Sequence, residues 1–93
     1  MSEEAVLGEG MLARIVQDGA LLEVREASGE LLFTLNPPPH STFYIFQSHA
    51  LHGVCPIVSF SVGHYPDGTY GWGDWYYRID VRSRSMTRLN PWK

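Results

Sequence analysis

Along this chain apolar and polar residues alternate with a period of two over short stretches, and turn-forming residues separate the stretches. Successive side chains of an extended chain take opposite faces, so the pattern predicts strands. The clearest run begins at Asp74. Trp75, Tyr77, Ile79 and Val81 fall on one side, and Asp74, Tyr76, Arg78 and Asp80 on the other. Arg82 to Ser85 make a polar turn, and Met86 to Leu89 return as the partner strand before Asn90 and Pro91 end it. An aromatic ring buries a large apolar area, which predicts Trp75 and Tyr77 at the centre of the core.

From the other end, residues 1–10 read as a flexible acidic arm and 11–93 as a single β domain. Met11 to Gln17 has strand character, and Asp18-Gly19 is a type I′ hairpin signal because both positions must accept positive φ. Ala20 to Arg25 pairs back with Leu22 and Val24 inward. Glu26 to Gly29 turns, and Glu30 to Leu35 follows with Leu31, Phe33 and Leu35 set against Leu32 and Thr34. Asn36-Pro-Pro-Pro-His40 cannot continue a sheet, since three residues in a row lack the backbone donor. Thr42 to Gln47 is apolar on both sides, Phe43 and Ile45 against Tyr44 and Phe46, which suggests a central strand or one meeting another subunit. Ser48 to Cys55 reads as an irregular loop or single helical turn, Pro56 as the opening of a strand from Ile57 to Gly63, and Tyr65 to Tyr70 as a turn. The fold class is therefore all-β: a single small domain of six or seven short antiparallel strands, a meander forming a sandwich or open barrel.

Composition narrows the class without naming an activity. The 93 residues suffice for one core. A net charge of -3 argues against a protein built to neutralise phosphate, so nucleic acid is not an expected partner. The charge is split. Residues 1–47 carry seven acids against Arg14 and Arg25, while the rest carries five bases against three acids. The single cysteine, Cys55, excludes an intrachain disulfide and favours a reducing compartment. The acidic start does not read as a signal peptide, and the longest apolar stretch, Val54 to Val62, is far too short to cross a bilayer as a helix. A cytoplasmic setting and no membrane are expected.

Four patterns offer chemistry. His49-Ala-Leu-His52-Gly-Val-Cys55, with His64 and His40 elsewhere, presents imidazoles and a thiolate of the kind zinc prefers, although Gly53 and Pro56 break any helix that would align them. The plainer reading is solvated histidines beside a packed cysteine. Cys55 beside one of these imidazoles is also the raw material of a nucleophile and base. Tyr65, Tyr70, Trp72 and Trp92 suggest a platform on which a sugar ring or nucleobase stacks, against the plainer reading of core aromatics. Arg78, Arg82, Arg84 and Arg88 cluster on the terminal hairpin, with Arg78 and Arg88 placed on one outward face beside Tyr76.

The chain holds more aromatic and apolar positions than one inner face can hide, with Leu32, Tyr44, Phe46, Tyr76 and Trp92 all opposite the better-buried set. Surplus aromatics flanked by arginine are the makings of an interface. The sequence thus points to a non-enzymatic protein-protein interaction module without a cofactor. An immunity-type inhibitor of a toxin and a homo-oligomeric structural subunit, foremost a homodimer, both fit. Its candidate contact residues are Tyr44, Phe46, Tyr70, Trp72, Tyr76, Arg78, Arg88 and Trp92. The alternatives are a sugar- or nucleobase-binding β domain and a metal-dependent enzyme using His49, His52 and Cys55 with His64.

Overall fold

The computed structural model describes residues 3–68 and 71–93. Two four-stranded antiparallel sheets follow one another along the chain. β1 (Glu4–Val6), β2 (Leu12–Val16), β3 (Leu21–Arg25) and β4 (Leu31–Leu35) form the N-terminal sheet in that order. β5 (Ser41–His49), β6 (Gly53–Phe60), β7 (Asp74–Asp80) and β8 (Ser85–Pro91) form the C-terminal sheet. The all-β class holds, with eight strands where six or seven were expected. The proline stretch, residues 36–40, is the joint between the sheets, and Ser41 Oγ donates to the Pro38 carbonyl at 2.6 Å.

The eighth strand comes from the stretch expected to be a loose arm. Glu4–Val6 pairs with β2, Ile15 N–H donates to Glu3 O at 2.8 Å, and Leu7 N–H to Met11 O at 2.7 Å. Without β1 the outer side of β2 would present a bare row of backbone donors and acceptors, and covering it outweighs the segment's acidic, glycine-containing composition.

At the first tight hairpin Ala20 N–H donates to Gln17 O at 3.0 Å across Asp18 (φ 54) and Gly19 (φ 91), the left-handed pair that the Asp-Gly signal implies. Gly19 is required twice over. It is buried against β5, where an added Cβ would overlap the Phe43 carbonyl oxygen.

Three bulges correct the simple alternation. In β4, Val24 pairs with Phe33 but Arg25 pairs with Leu31, so Leu32 is the extra residue. It turns toward the core, while Leu31 is left 45% exposed. In β5, Phe43 pairs with Val58 but Phe46 pairs with Pro56, and the extra residue brings Phe46 to the same side as Phe43. In β8, the shift between Arg88 and Pro91 leaves Arg88 opposite Tyr77, with its guanidinium 5.0 Å from the Trp75 ring centroid. One inserted residue reverses which face every later side chain takes.

The two sheets share one core. Ala13, Ile15, Leu22, Val24 and Leu35 meet Phe43, Phe46, Val58, Trp75 and Tyr77, the expected indole among them. Trp75 Nε1 donates to Trp72 O at 2.6 Å, which satisfies the one polar group that its burial would otherwise strand. The strand expected to be central, Thr42 to Gln47, is instead the edge strand β5. β6 is the strand buried on both faces, with Ile57 and Val58 both at 0% exposure. Pro56 lies inside β6 rather than opening it. It is tolerated because the β7 ladder starts only at Ile57 and β5 is bulged opposite. Ser48 to Cys55 is neither irregular nor helical. His49 pairs with Gly53 around the tip Ala50-Leu51-His52, closed by Gly53 at φ 71.

Candidate functional site

The histidine and cysteine pattern does not converge. His49 and His52 share the β5–β6 hairpin with ring centroids 5.0 Å apart, but His49 is already committed on both nitrogens. Its Nδ1 accepts from Leu51 N–H at 3.0 Å, so Nε2 carries the proton donated to Asn90 Oδ1 at 2.5 Å. His64 lies elsewhere, stacked on His40 with centroids 3.7 Å apart. Among the described residues no three His, Cys, Asp or Glu side chains gather as a metal ion requires. Cys55 is 2% exposed, and its Sγ approaches the His52 carbonyl at 3.9 Å rather than an imidazole. Burial pushes its thiol pKa up, and the nearby Arg78 charge only partly opposes this. A neutral thiol is the opposite of what nucleophilic catalysis needs.

Tyr44, Tyr76, Trp72 and Trp92 come together, engaged with one another and with backbone carbonyls, while Tyr44 and Trp72 stay 48% and 43% exposed. They form a roof over the outer face of the C-terminal sheet, the face that carries Ile57. Tyr76, opposite Ile57, reaches over β6 to donate from its hydroxyl to Ser48 O at 3.0 Å, and His49 stands edge-on to its ring at 4.8 Å. Tyr44 on β5 meets Trp92 beyond β8 with ring centroids 5.9 Å apart. With the His49 to Asn90 bond, this makes a second bridge between the sheet's two edge strands. Beneath lie Ile57 and Cys55 at 0% and 2% exposure, outside the inter-sheet core. Trp72 Nε1 donates to Trp92 O at 2.6 Å, and Lys93 lies 5.8 Å from the Trp72 ring centroid. Tyr65 does not join them. Its ring lies against Gly73. Tyr70 lies outside the described residues.

Phe46 is in the core and offers no surface. Arg78 and Arg88 do not share a face: Arg78 pairs with Thr87 on the roofed side, and Arg88 with Tyr77 on the core side. Between them, Tyr77's phenol pKa is raised by burial, with the Arg88 charge opposing.

The feature the sequence did not reveal is the outer face of the N-terminal sheet. Register places Val6 opposite Leu12, Leu12 opposite Arg25, and Arg25 opposite Leu31, a single rung crossing all four strands. Val6, Leu12 and Leu31 are 68%, 39% and 45% exposed. The next rung on the same face is Glu4, Arg14, Glu23 and Thr34. Arg14 Nε lies 3.3 Å from Glu4 Oε1, and Arg25 holds Glu23 through two nitrogens at 3.2 and 3.3 Å. Arg25 also donates to Gly29 O at 2.8 Å. A rung of aliphatic side chains thus sits in water beside a rung of alternating charge. No local pattern signals it, because Leu31 faces outward only through the β4 bulge, and the rung exists only once four strands are in register.

An open cleft of about 450 Å³ lies where Val6, Leu7 and Met11 approach Val54, Arg78 and Ile79. No helix among the described residues is long and apolar enough to cross a membrane. Comparison with protein families, with curated proteins and with solved structures finds no match to this chain.

Proposed function

We propose that this protein is a non-enzymatic protein-binding module that works through the outer face of its N-terminal sheet. The observation that carries the reading is the exposed aliphatic rung Val6, Leu12 and Leu31, flanked by ion pairs. Exposed aliphatics in one row, rimmed by charge, are the composition of a protein contact rather than of a catalytic cleft. The outer face of the other sheet is less suited, because its aromatic side chains are spent on each other and on backbone carbonyls. The setting that fits is a reducing one, in which a lone buried thiol stays as it is, and no cofactor is called for.

The test is the double variant Leu12→Glu with Leu31→Glu, compared with wild type in sedimentation and in affinity capture from the source cell. The expected result is an assembly, with itself or with a captured protein, that the variant loses while its unfolding midpoint stays close to wild type. Identical assembly by both proteins would remove this face from the function.

A further inference from the structure

We propose that the occupant of this face is a second copy of the chain, docked sheet on sheet about a two-fold axis parallel to the strands. The inference rests on the protein-binding reading and adds the partner and the symmetry. A two-fold lying in the plane between two facing sheets has two simple choices, and the charge pattern separates them.

An axis along the strands reverses strand order and keeps each rung level. The rung Glu4, Arg14, Glu23, Thr34 then faces its own reverse. Arg14 meets the partner's Glu23, Glu23 meets the partner's Arg14, and Glu4 meets the partner's Thr34. No like charges oppose. The aliphatic rung also faces its reverse: Val6 meets the partner's Leu31, and Leu12 lies under the aliphatic stem of the partner's Arg25. An axis across the strands sets each strand over its own copy. With that axis on the charged rung, Arg14 faces the partner's Arg14 and Glu23 the partner's Glu23 in the middle of a desolvated contact, where like charges repel. With each face centred on its charged rung, the surface is self-complementary in one of the two ways only. An across-strand axis moved midway between the two rungs pairs Glu23 with the partner's Arg25 but sets Arg14 on the partner's Leu12 and Glu4 on the partner's Val6, charge against aliphatic. Val16 opposite Leu21 is a third rung on this face, so the charged rung is the middle one, and the usual rotation of roughly 30° between packed sheets displaces the corners and leaves it in place.

The remaining contents of the face agree. Its two arginines and two glutamates leave it neutral, although residues 1–47 as a whole are acidic. Glu9, Glu26 and Glu30 stand in the connections outside the face and at its margin rather than on it. Four strands by five residues cover roughly 19 by 17 Å, so the contact lies below the about 800 Å² per partner of a standard interface. The dimer is therefore weak, concentration-dependent and exchangeable.

The experiment mixes two charge reversals. In Arg14→Glu, acids face acids across the axis; in Glu23→Arg, bases face bases. Each variant alone is expected to dimerise at least about tenfold more weakly than wild type in sedimentation equilibrium. Mixed in equal amounts, the two restore opposite charges at both positions, and a heterodimer of at least wild-type affinity is expected. Recovery on mixing cannot come from misfolding, which mixing does not repair. If either reversal fails to fold, Leu31→Glu replaces it as the disrupting variant, read by loss of the wild-type dimer. A wild type that dimerises while the reversals behave as it does, alone and mixed, overturns the proposed face and leaves the protein-binding reading standing. A wild type that stays monomeric up to millimolar concentration overturns the self-docking proposal outright. The protein-binding reading then depends on whether the Leu12 and Leu31 variant loses a captured protein.

Discussion

The outer faces of the two sheets have opposite fates, although both carry large apolar side chains. On the C-terminal sheet, Tyr44, Tyr76, His49 and Trp92 close over Ile57 and Cys55, and hydrogen bonds to Ser48 O and Asn90 fasten the cover. On the N-terminal sheet, Val6, Leu12 and Leu31 stay 68%, 39% and 45% exposed beside the neighbouring ion pairs. The difference lies in reach. Tyrosine, tryptophan and histidine span a strand and still end in a polar atom that can find a carbonyl or amide, so they roof their own sheet. Valine and leucine are too short to do so, and a row of them is covered only by another surface. On the proposed reading, plain aliphatics in register rather than surplus aromatics mark the contact face.

The largest expected effect sets equal chemistry against the two faces. Ile57→Ala should cost about 2–5 kcal/mol in urea unfolding, as for a fully buried aliphatic, whereas Leu31→Ala in the monomer should stay within about 0.5 kcal/mol. Equal losses at the two positions would mean that the N-terminal face is not open. Next comes the roof. Tyr76→Phe removes one donor and keeps the ring, so a loss of about 0.5–1.5 kcal/mol is expected, with no change in self-association. A change in assembly without loss of stability would return Tyr76 to the contact surface.

Cys55 reports on the same cover. Its pKa stands above the ordinary thiol value of 9.0, chiefly through burial, so at mildly alkaline pH alkylation in the folded chain should run well below its rate in the urea-unfolded chain. Replacing Tyr76 or His49 by alanine should speed it, and rates unaffected by either would show that the roof does not shield the thiol.

The smallest effect is at the β7–β8 turn, far from either cover. Asp80 accepts from Ser83 N–H at 3.2 Å and Arg82 N–H at 3.0 Å, and these bonds, that of Ser83 first, hold its pKa below the usual 3.8. The carboxylate form is the one favoured by folding. Its contribution is therefore present above the unfolded value and fades as pH falls through the lower folded one. Asp80→Asn should lower stability slightly at neutral pH, where the carboxylate contributes, and match wild type at acid pH, so that the acid limb of the urea-unfolding stability curve flattens.

Much of the frame was legible residue by residue. Leu22 and Val24 inward, the Asp18-Gly19 turn, the proline joint and Trp75 at the centre all follow from local rules and appear where those rules place them. The errors have a common source. Leu32 and Phe46 were set outward, and Arg88 beside Arg78, because an alternating pattern carries no mark of the single extra residue that flips it. The candidate site suffered most. Of its aromatic members Phe46 lies in the core, whereas Tyr44 and Trp72 remain 48% and 43% exposed, and the histidine and cysteine set is divided between two places.

By itself the sequence determined that the chain runs in extended segments, where it turns, and which residues avoid water, because those properties reside in each residue's own chemistry and in that of its near neighbours. Which of the two sheet faces is covered was decided only in three dimensions. The rung from Val6 to Leu31 joins residues 25 positions apart in the chain, and the roof joins Tyr44 to Trp92. Both depend on strand order, register and bulges, which arise from the backbone hydrogen bonds between strands and leave no trace in the order of the side chains.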